Sequence, residues 1–348
     1  MTTAADQRTG PRWQPGVLGV PGAGGKVTCL LCPHACVLAE GQVGACGVRR
    51  NRGGVLETST HAVTVVHLTN IERKPFYHVR PGSRVLTIAG PGCTFRCRYC
   101  INYSLSQYGQ DDEVPWRAQA ADPAEIVRRA VEEDAGIGMS YTEPGLAIEL
   151  AVDIARLAEP AGVKLLWKSN GFLTRKAVKH IAGHLHAVNI DVKAADEEAH
   201  QRLTGAGLAP VLRAIELLRD AGVWVEVSTP LVPGTASEPG QLARIASTLA
   251  AIDPAMPWHL VRFTPEYRMR DCAPTAPRLL EEGRRIGFTA GLRYVYVERA
   301  LGEQGRATCC PACGTTVVAR GVWSTHSVLL DDEGHCPGCA HPIPGRWK

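Results

Sequence analysis

The sequence predicts an α/β protein built around a partial or full (β/α) barrel, with a small cysteine-rich metal-binding domain at each end. Three observations predict this class. Apolar, strand-like runs alternate with amphipathic stretches over residues 84–298, and polar side chains follow almost every run. Twelve of the thirteen cysteines fall into three clusters, within 29–46, 93–100 and 309–339. The clusters at the two ends therefore flank a central strand–helix region.

Seven segments of the central region have the apolar and β-branched composition of buried strands. They are RVLTIAG (84–90), IGMSYT (137–142), VKLLWKS (163–169), AVNIDVK (187–193), VWVEVST (223–229), HLVRFT (259–264) and RYVYVE (293–298). Helical patterns lie between most of them, and the first helix has a clear start at Asp122, with Pro123 in its first turn and Glu125 three residues after the cap. Strands that alternate with helices predict a parallel sheet, either open or closed into a barrel.

The residues that follow these strands predict where the site lies. Ligands bind at the carboxyl ends of the strands in such folds. The polar residues at those ends are Thr142, Glu143, Ser169, Asn170, Asp191, Lys193, Ser228, Thr229, Arg262, Thr264 and Glu298. We expect these side chains to converge on one mouth, together with the cysteines of 93–100.

Composition and charge exclude some classes of protein. A formal net charge of +4 over 348 residues does not predict a nucleic-acid or membrane-surface protein. No apolar run approaches the roughly 18 residues of a spanning helix. The amino terminus lacks the order of a signal peptide, which predicts a cytoplasmic protein whose cysteines bind metal rather than form disulfides.

Changes in composition predict four regions. We expect a disordered tail (1–26), an N-terminal cysteine-rich metal-binding segment (27–78), the barrel (79–300) and a rubredoxin-like or zinc-ribbon domain (301–348). A domain as small as the last one builds little apolar core, so metal is expected to hold it folded.

The first predicted strand leads into GPGCTFRCRYCIN, which places Cys93, Cys97 and Cys100 in one loop with no fourth cysteine nearby. A [4Fe–4S] cluster has four irons, each of which needs one outer ligand. Three thiolates leave one iron open, as a catalytic zinc keeps one position open. Three ligands therefore predict a catalytic cluster, and the alternative is a zinc site that takes a distant fourth ligand.

This loop, with Tyr99 before its last cysteine, resembles the radical S-adenosylmethionine (radical SAM) superfamily. Further segments, in order along the chain, resemble its AmmeMemoRadiSam group, which is similar to activating enzymes of glycyl-radical proteins. They are CLLCPHACVLAEGQVGACGVR, SYTEP, SNGF, NIDVK, PWHLVRFTPEY and the paired C-terminal cysteine motifs.

The resemblance implies a barrel of the radical SAM type, a [4Fe–4S] cluster and S-adenosyl-L-methionine. It implies an oxidoreductase in which an external one-electron donor of the flavodoxin or ferredoxin type reduces the cluster. A 5′-deoxyadenosyl radical then abstracts hydrogen from a substrate, either a small molecule or a protein. No nucleic-acid or membrane partner is expected.

The resemblance also implies roles by position. Tyr99 matches the aromatic residue near the adenine, and Glu143 matches the acid that binds the methionine ammonium group. A carboxylate at a strand end is chemically suited to hold a cation. Tyr-Thr-Glu stands here where the family has Gly-Gly-Glu.

Ser169 and Asn170 match positions near the methionine and the ribose, and Asp191 and Lys193 match positions near the methionine end or the substrate. Asp191 and Lys193 are thus the candidate catalytic side chains, and Asp191 is also a candidate cofactor ligand. The alternative for each residue is a helix cap or a surface polar group. His259 either contacts substrate or faces solvent.

The two terminal cysteine clusters predict further metal sites. Cys310, Cys313, Cys336 and Cys339 form two C-P-x-C motifs, which are typical of a tetrahedral four-thiolate site for zinc or a single iron. The N-terminal cluster offers Cys29, Cys32, Cys36 and Cys46. Its spacing suits either a second [4Fe–4S] cluster, as an electron relay, or zinc. His34 is expected beside this site rather than in it.

The sequence leaves three alternatives to a radical SAM enzyme that abstracts hydrogen from a small-molecule or protein substrate. Activation of a glycyl-radical enzyme is an alternative within the same class. A zinc-ribbon nucleic-acid adaptor requires a basic, aromatic-rich stripe, which the sequence lacks. A barrel lyase would use Lys193 as a Schiff base, but it leaves the clustered cysteines unexplained.

Overall fold

The computed structural model describes residues 10–299 and 301–348 of the chain, and an open sheet of eight strands lies at its centre. The strands are β1 Gln14–Pro15, β2 Gly19–Pro21, β3 Val27–Cys29, β4 Val37–Leu38, β5 Arg49–Arg52, β6 Val55–Thr58, β7 Ala62–Val63, β8 Val65–Asn70, β9 Arg84–Ala89, β10 Gln119–Ala120, β11 Ala135–Met139, β12 Leu165–Ser169, β13 Ala187–Asp191, β14 Trp224–Leu231, β15 Trp258–Arg262, β16 Val295–Val297, β17 Thr308–Cys309, β18 Thr316–Arg320 and β19 Thr325–Val328. The α-helices are α1 Tyr103–Ser106, α2 Pro123–Glu132, α3 Ile148–Ala158, α4 Arg175–Ile181, α5 Glu197–Thr204, α6 Ala209–Asp220, α7 Pro239–Ile252 and α8 Pro277–Thr289.

The central sheet has the order β16-β15-β14-β13-β12-β11-β9-β8. All pairs from β9 to β16 are parallel, and β8 joins β9 antiparallel. Each of the two outermost strands has a neighbour in this sheet on one side only, so the described chain forms a partial rather than a closed barrel. The predicted α/β barrel class is therefore confirmed, and all seven predicted strands lie in the sheet.

Helices connect the parallel strands and cover the sheet with apolar faces. The predicted start of α2 is confirmed: the Asp122 carboxylate accepts hydrogen bonds from the backbone N–H groups of Ala124 and Glu125, at 2.9 and 3.2 Å. The buried face of this helix carries Ile126, Val127 and Ala130. Each helical connection carries the chain back to the end of the sheet where the previous strand began. The carboxyl ends of the parallel strands therefore lie along one edge of the sheet.

The sequence predicts a boundary near residue 78 between the N-terminal segment and the barrel. The structure differs at β8, which precedes this boundary but belongs to the central sheet. Its register runs from Val65 opposite Ala89 to Asn70 opposite Arg84. The seven predicted strands did not include this one, since an antiparallel edge strand needs no helical connection.

The plug segment, which we define as residues 71–79, follows β8 and is almost entirely buried. Ile71, Phe76 and Val79 form an apolar cluster with residues near the amino ends of the sheet strands, such as Val85 and Ala187. These three apolar side chains thus fill the end of the barrel opposite the expected mouth.

A disordered tail was expected to residue 26, and this expectation was wrong for residues 14–21. β1 pairs with β6, and β2 pairs with β3. The backbone N–H of Val17 also donates to the Glu149 carboxylate on α3, at 2.7 Å. These long-range partners order a segment whose own composition is that of a loop. Residues 1–9 of the expected tail lie outside the described part of the chain.

The C-terminal region forms an antiparallel sheet of β17, β18 and β19, which we call the ribbon. Val317, Val318 and Ile343 of this region share an apolar cluster with Tyr77 of the plug segment and Tyr296 of β16. The ribbon is therefore packed against the barrel. In the described residues, no helix is both long and apolar enough to cross a membrane.

Candidate active site

A cavity of about 310 Å³ opens at the carboxyl ends of the parallel strands. The predicted residues in its lining are Cys93, Cys97, Tyr99, Cys100, Thr142, Glu143, Ser169, Asn170, Asp191, Lys193, Arg262, Thr264 and Glu298. Ser228 and Thr229 lie outside the cavity. The Ser228 hydroxyl donates to the Asn189 side chain, and the Thr229 hydroxyl accepts from the Trp258 indole, so both make hydrogen bonds within the sheet. The structure thus brings together side chains from five strand ends and the cysteine loop.

Cys93, Cys97 and Cys100, which we call the cysteine triad, lie in the loop after β9. Burial raises the pKa of the Cys97 thiol to about 12, so a bound cation is needed to stabilise its thiolate form. The loop packs tightly on the N-terminal segment at Gly92, where φ is 87°. A Cβ atom at this glycine would lie 3.0 Å from a Val48 methyl group. Glycine is therefore required directly before the first cysteine.

Glu143 is 3% exposed, and the surrounding donors fix its carboxylate. One oxygen accepts from the Gly145 N–H and the Ser169 hydroxyl, and the other accepts from the Asn170 N–H, each at 2.8 Å. Burial outweighs these bonds and raises the pKa of Glu143 to about 7. The acid is thus rigidly held beside the cavity and lacks a cationic partner in the described chain, which is the condition for binding a cationic ligand.

Ser169 and Asn170, at the end of β12, connect this acid to the cysteine loop. The Asn170 amide donates to the Thr94 hydroxyl at 2.8 Å and lies 3.6 Å from the Cys93 sulfur. Its oxygen accepts from the Phe172 N–H at 2.9 Å. Both residues line the cavity, and the structure gives each a positioning contact in addition to the binding role that the sequence predicted.

Asp191 lies between two lysines at the end of β13. Lys193 donates to one oxygen at 2.8 Å, and Lys168 donates to the other. Burial opposes ionisation, but the two ammonium groups lower the pKa of Asp191 to about 2. The same pairing raises the pKa of Lys193 despite its burial. A Schiff-base lysine needs a neutral amine, so this charge disfavours the lyase alternative.

Lys168 is a site residue that the sequence analysis missed. It precedes Ser169 on β12, lines the cavity, and also donates to the Asn189 side chain at 2.7 Å. Its position within a strand gave no sign that its ammonium group reaches Asp191, because that contact depends on the register between β12 and β13.

Tyr99 is buried, and its ring lies edge-on to Phe263 with the centroids 5.8 Å apart. Its hydroxyl has no hydrogen-bond partner among the described residues. Buried hydroxyls in proteins are nearly always paired. The nearby Lys193 ammonium interacts with this hydroxyl and opposes the rise in pKa that its burial causes.

Comparison with known proteins agrees with this geometry. The profile of the radical SAM superfamily matches residues 87–244. The uncharacterized protein MJ0808 of Methanocaldococcus jannaschii is 33% identical over 322 residues, covering 91% of this chain and 95% of that protein. This chain belongs to the radical SAM superfamily.

Three further proteins are similar to this chain at lower sequence identity. The pyruvate formate-lyase 1-activating enzyme of Escherichia coli K12 is 24% identical over 220 residues, which cover 59% of this chain and 89% of that enzyme. Among solved structures, Streptococcus suis SuiB bound to S-adenosylmethionine aligns with a TM-score of 0.49 at 10% identity, covering 66% of this chain and 53% of that chain. A domain of a Bacteroides vulgatus pyruvate-formate lyase-activating enzyme aligns with a TM-score of 0.41 at 19% identity. The alignment covers 47% of this chain and 98% of that domain.

The radical SAM fold implies a [4Fe–4S] cluster and S-adenosylmethionine, and the residues present fit both groups. The triad offers three soft thiolate ligands in one cavity wall. The fixed Glu143 carboxylate and the unpaired Tyr99 hydroxyl border the same space. The site thus combines the donors for a cluster with polar groups that suit a cationic nucleotide.

Tyr141, two residues before Glu143, has a positive φ of 72°, which glycine adopts more readily than other residues. Its hydroxyl accepts from the Lys74 ammonium at 2.8 Å and lies 3.0 Å from the His67 ring. Tyr141 and Arg73 line the cavity. The sequence analysis missed this group, because His67 lies in β8 and Lys74 in the plug segment. It assigned both elements to another domain.

His259 neither contacts the cavity nor faces solvent. It is 3% exposed and donates to Glu226 at 2.6 Å. Glu226 also accepts from the backbone N–H groups of Tyr77 and His78. The pair therefore joins the sheet to the plug segment.

The C-terminal cysteines, which we call the ribbon quartet, lie close enough to hold one ion. The sulfur atoms of Cys310 and Cys339 are 3.6 Å apart, as are those of Cys313 and Cys336. All four sulfurs lie within 4.8 Å of one another. An ion bonded tetrahedrally to four sulfurs at about 2.3 Å separates them by about 3.8 Å. The ribbon quartet therefore fits a single metal ion.

Cys29, Cys32, Cys36 and Cys46, the N-terminal quartet, lie near enough to one another for their thiols to interact electrostatically. Burial, with smaller contributions from the Cys29 and Cys36 thiols, raises the pKa of the Cys46 thiol to about 11, although the Val48 N–H and Arg49 oppose the rise. The His34 ring, expected beside this site, lies 3.0 Å from the Thr94 carbonyl oxygen.

Proposed function

We propose that this enzyme cleaves S-adenosylmethionine reductively and uses the resulting 5′-deoxyadenosyl radical to abstract hydrogen from a substrate in the cavity. The observation that carries the proposal is the presence of the cysteine triad and the fixed Glu143 carboxylate in the same cavity wall. When bound, a [4Fe–4S] cluster and S-adenosylmethionine supply the electron and the radical.

The protein's part in this chemistry is to bind, orient and exclude water. Glu143 holds the methionine ammonium group, and the Ser169 hydroxyl and the Asn170 N–H hold Glu143 in place. Tyr99 contributes an aromatic ring and an unpaired hydroxyl to the nucleotide side. The charged Lys168–Asp191–Lys193 cluster offers ammonium groups to a carboxylate of the nucleotide or of the substrate. An enclosed site protects a primary radical from side reactions.

The proposal includes an external one-electron donor of the flavodoxin or ferredoxin type. It also includes a protein or small-molecule substrate and a cytoplasmic location. All thirteen cysteines are free thiols, which suits the reducing cytoplasm. Activation of a glycyl-radical protein is the second candidate, and similarity to the Escherichia coli activating enzyme favours it. Zinc or iron in the ribbon quartet is a structural part of either function.

The experiment is to purify the protein without oxygen, add dithionite and S-adenosylmethionine, and measure 5′-deoxyadenosine by chromatography. We expect the wild type to form it and Cys97→Ala to form none. A Cys309→Ala variant serves as the control, because Cys309 lies outside the ribbon quartet. Formation of the product by Cys97→Ala at the wild-type rate contradicts the proposal.

A second variant tests the binding role of Glu143. Glu143→Gln retains acceptor oxygen but loses the negative charge, so S-adenosylmethionine affinity should fall by roughly 10- to 100-fold, the range for a lost charged hydrogen bond. Equilibrium dialysis against the cluster-loaded protein measures this affinity. Glu125→Gln on the exposed face of α2 is the matched control, and equal affinity of the two variants argues against the role.

A further inference from the structure

The N-terminal quartet differs from the ribbon quartet in the spacing of its sulfur atoms. Within the described residues, the ribbon quartet is the one group of cysteines whose sulfurs all lie within 4.8 Å of one another. The N-terminal quartet and the cysteine triad are both more widely spaced. A single ion draws four sulfurs to about 3.8 Å from one another. In a [4Fe–4S] cluster each thiolate binds a different iron, so the sulfurs lie farther apart.

The fold nevertheless directs the four N-terminal thiols to one place. The Cys29 N–H donates to the Cys36 carbonyl at 2.9 Å, which closes the loop that carries Cys32. A Cβ atom on Gly44 would lie 3.6 Å from the Cys36 sulfur, and Gly44 begins the turn that carries Cys46. Cys29, Cys32 and Cys46 are each less than 9% exposed. Three buried thiols and the partly exposed Cys36 can ionise together only with a bound cation, since buried thiolates are not otherwise stable.

The quartet also adjoins the catalytic loop. The carbonyl oxygen of Cys46 would lie 3.3 Å from a Cβ atom on Gly92, the residue before Cys93. On the other side, Thr174 donates through its N–H and its hydroxyl to the carbonyl groups of Leu31 and Leu30, at 3.1 and 2.6 Å. The segment is thus fixed to the barrel mouth at two points, directly behind the cysteine triad.

We propose that the N-terminal quartet binds a second [4Fe–4S] cluster and that electrons reach the catalytic cluster through it. The electron route rests on the proposed function, whereas the second cluster does not. One electron from a flavodoxin- or ferredoxin-type donor reduces the N-terminal cluster, which returns to its oxidised state as the same electron passes to the catalytic cluster. No bond or proton changes in this step. Ala35 and Val37, beside the quartet, are exposed and leave its outer side accessible to a donor.

Metal analysis of the variant Cys93→Ala/Cys97→Ala/Cys100→Ala tests the second cluster. After anaerobic purification, we expect about four irons and four sulfides per chain from the N-terminal quartet, against about eight of each in the wild type, not counting any single iron in the ribbon quartet. The control Cys272→Ala should retain about eight, because Cys272 belongs to none of the three sites. A triple variant without sulfide but with a second zinc ion overturns the proposal.

Electron paramagnetic resonance of the reduced wild type tests the same point without a variant. We expect two reduced clusters, of which added S-adenosylmethionine changes the spectrum of only one. A single cluster whose whole signal responds to S-adenosylmethionine overturns the proposal. Two clusters without formation of 5′-deoxyadenosine would instead refute the proposed function and leave the second cluster standing.

The electron route is tested with Cys32→Ala/Cys46→Ala. Reduction of the catalytic cluster by photoreduced flavodoxin should be lost, whereas reduction by dithionite, a small ion that can enter the cavity, should persist. Equal behaviour of this variant and the wild type toward flavodoxin, including no reduction of either, overturns the electron route.

Discussion

At the scale of single residues, burial determines the chemistry of the site. Glu143 and Asp191 are both carboxylates at strand ends, yet their pKa values move to about 7 and about 2. The difference arises because Asp191 contacts two ammonium groups, whereas Glu143 receives only neutral donors. Glu143 is therefore the acid that lacks a cation, which supports its proposed role in holding a cationic cofactor.

Lys74 is a buried ammonium group without a carboxylate partner in the described chain. Its neighbours are the Tyr141 hydroxyl and ring, the His67 ring beyond them, and Arg73. Burial, with a smaller contribution from Arg73, lowers the pKa of Lys74 from 10.5 to about 7. The folded chain releases this proton near pH 7, and the unfolded chain releases it near pH 10.5. Between these two pH values folding therefore releases a proton, so the free energy of unfolding rises with pH.

We expect Lys74→Met to raise the melting temperature most below about pH 7, where wild-type Lys74 is charged and buried. The gain in stability, on the order of 2 kcal/mol, should shrink as the pH rises toward 10. Thermal unfolding of both proteins across this range measures the difference, with Lys179→Met on the exposed side of α4 as the control. A gain that does not depend on pH argues against a buried charge at Lys74.

At the scale of elements, the plug segment depends on one buried carboxylate. Glu226 of β14 is fully buried and accepts from Tyr77, His78, the Trp224 indole and His259. Although burial opposes ionisation, the hydrogen bond from His259 helps lower the pKa of Glu226 below its ordinary value. One side chain thus satisfies two backbone donors that no strand partner serves.

Glu226→Ala should destabilise the protein by about 3 to 5 kcal/mol, because it leaves several buried donors without an acceptor. The change in the urea midpoint measures this loss. Glu226→Gln retains one acceptor oxygen and should cost less, and Glu281→Ala on the exposed side of α8 should cost little. Equal midpoints for Glu226→Ala and Glu281→Ala contradict this account of the plug segment.

The elements also show how far the sequence predicts this fold. The seven parallel strands were predictable, since buried strands in such sheets are continuous apolar runs between helices. β8 (VVHLTN) was not predicted although it is rich in β-branched residues, because it lies outside the alternation of strands and helices and only its pairing with β9 places it in the sheet. The paired segments β1 and β2 were missed for the same reason.

At the scale of the whole molecule, the ribbon lies against the open side of the partial barrel. Trp323, in the turn between β18 and β19, donates to the Glu298 carboxylate at 2.7 Å, and Glu298 lines the cavity. The guanidinium of Arg73 lies 4.4 Å from the Trp323 ring centroid. A domain that the sequence separates from the barrel thus contacts residues of the active-site mouth.

Removal of the ribbon metal should therefore affect the barrel. In Cys313→Ser/Cys339→Ser we expect a decrease in melting temperature on the order of 5 °C, because Tyr77 and Tyr296 lose the ribbon side of their apolar cluster. Differential scanning calorimetry and a zinc and iron count check this, with Cys309→Ser as the control. An unchanged melting temperature after complete loss of the metal shows that the two regions are independent.

The sequence by itself determined the superfamily, the cysteine triad and the strand ends that form the cavity. These follow from local pattern, because residue spacing in a loop and polar residues after apolar runs do not depend on distant contacts. Only the tertiary structure decided that Lys168 and Lys193 share Asp191, that Lys74 and Tyr141 meet at the cavity, and that the ribbon contacts its mouth. Each of these contacts joins residues of different elements, so strand register and packing fix them and no single stretch of sequence records them.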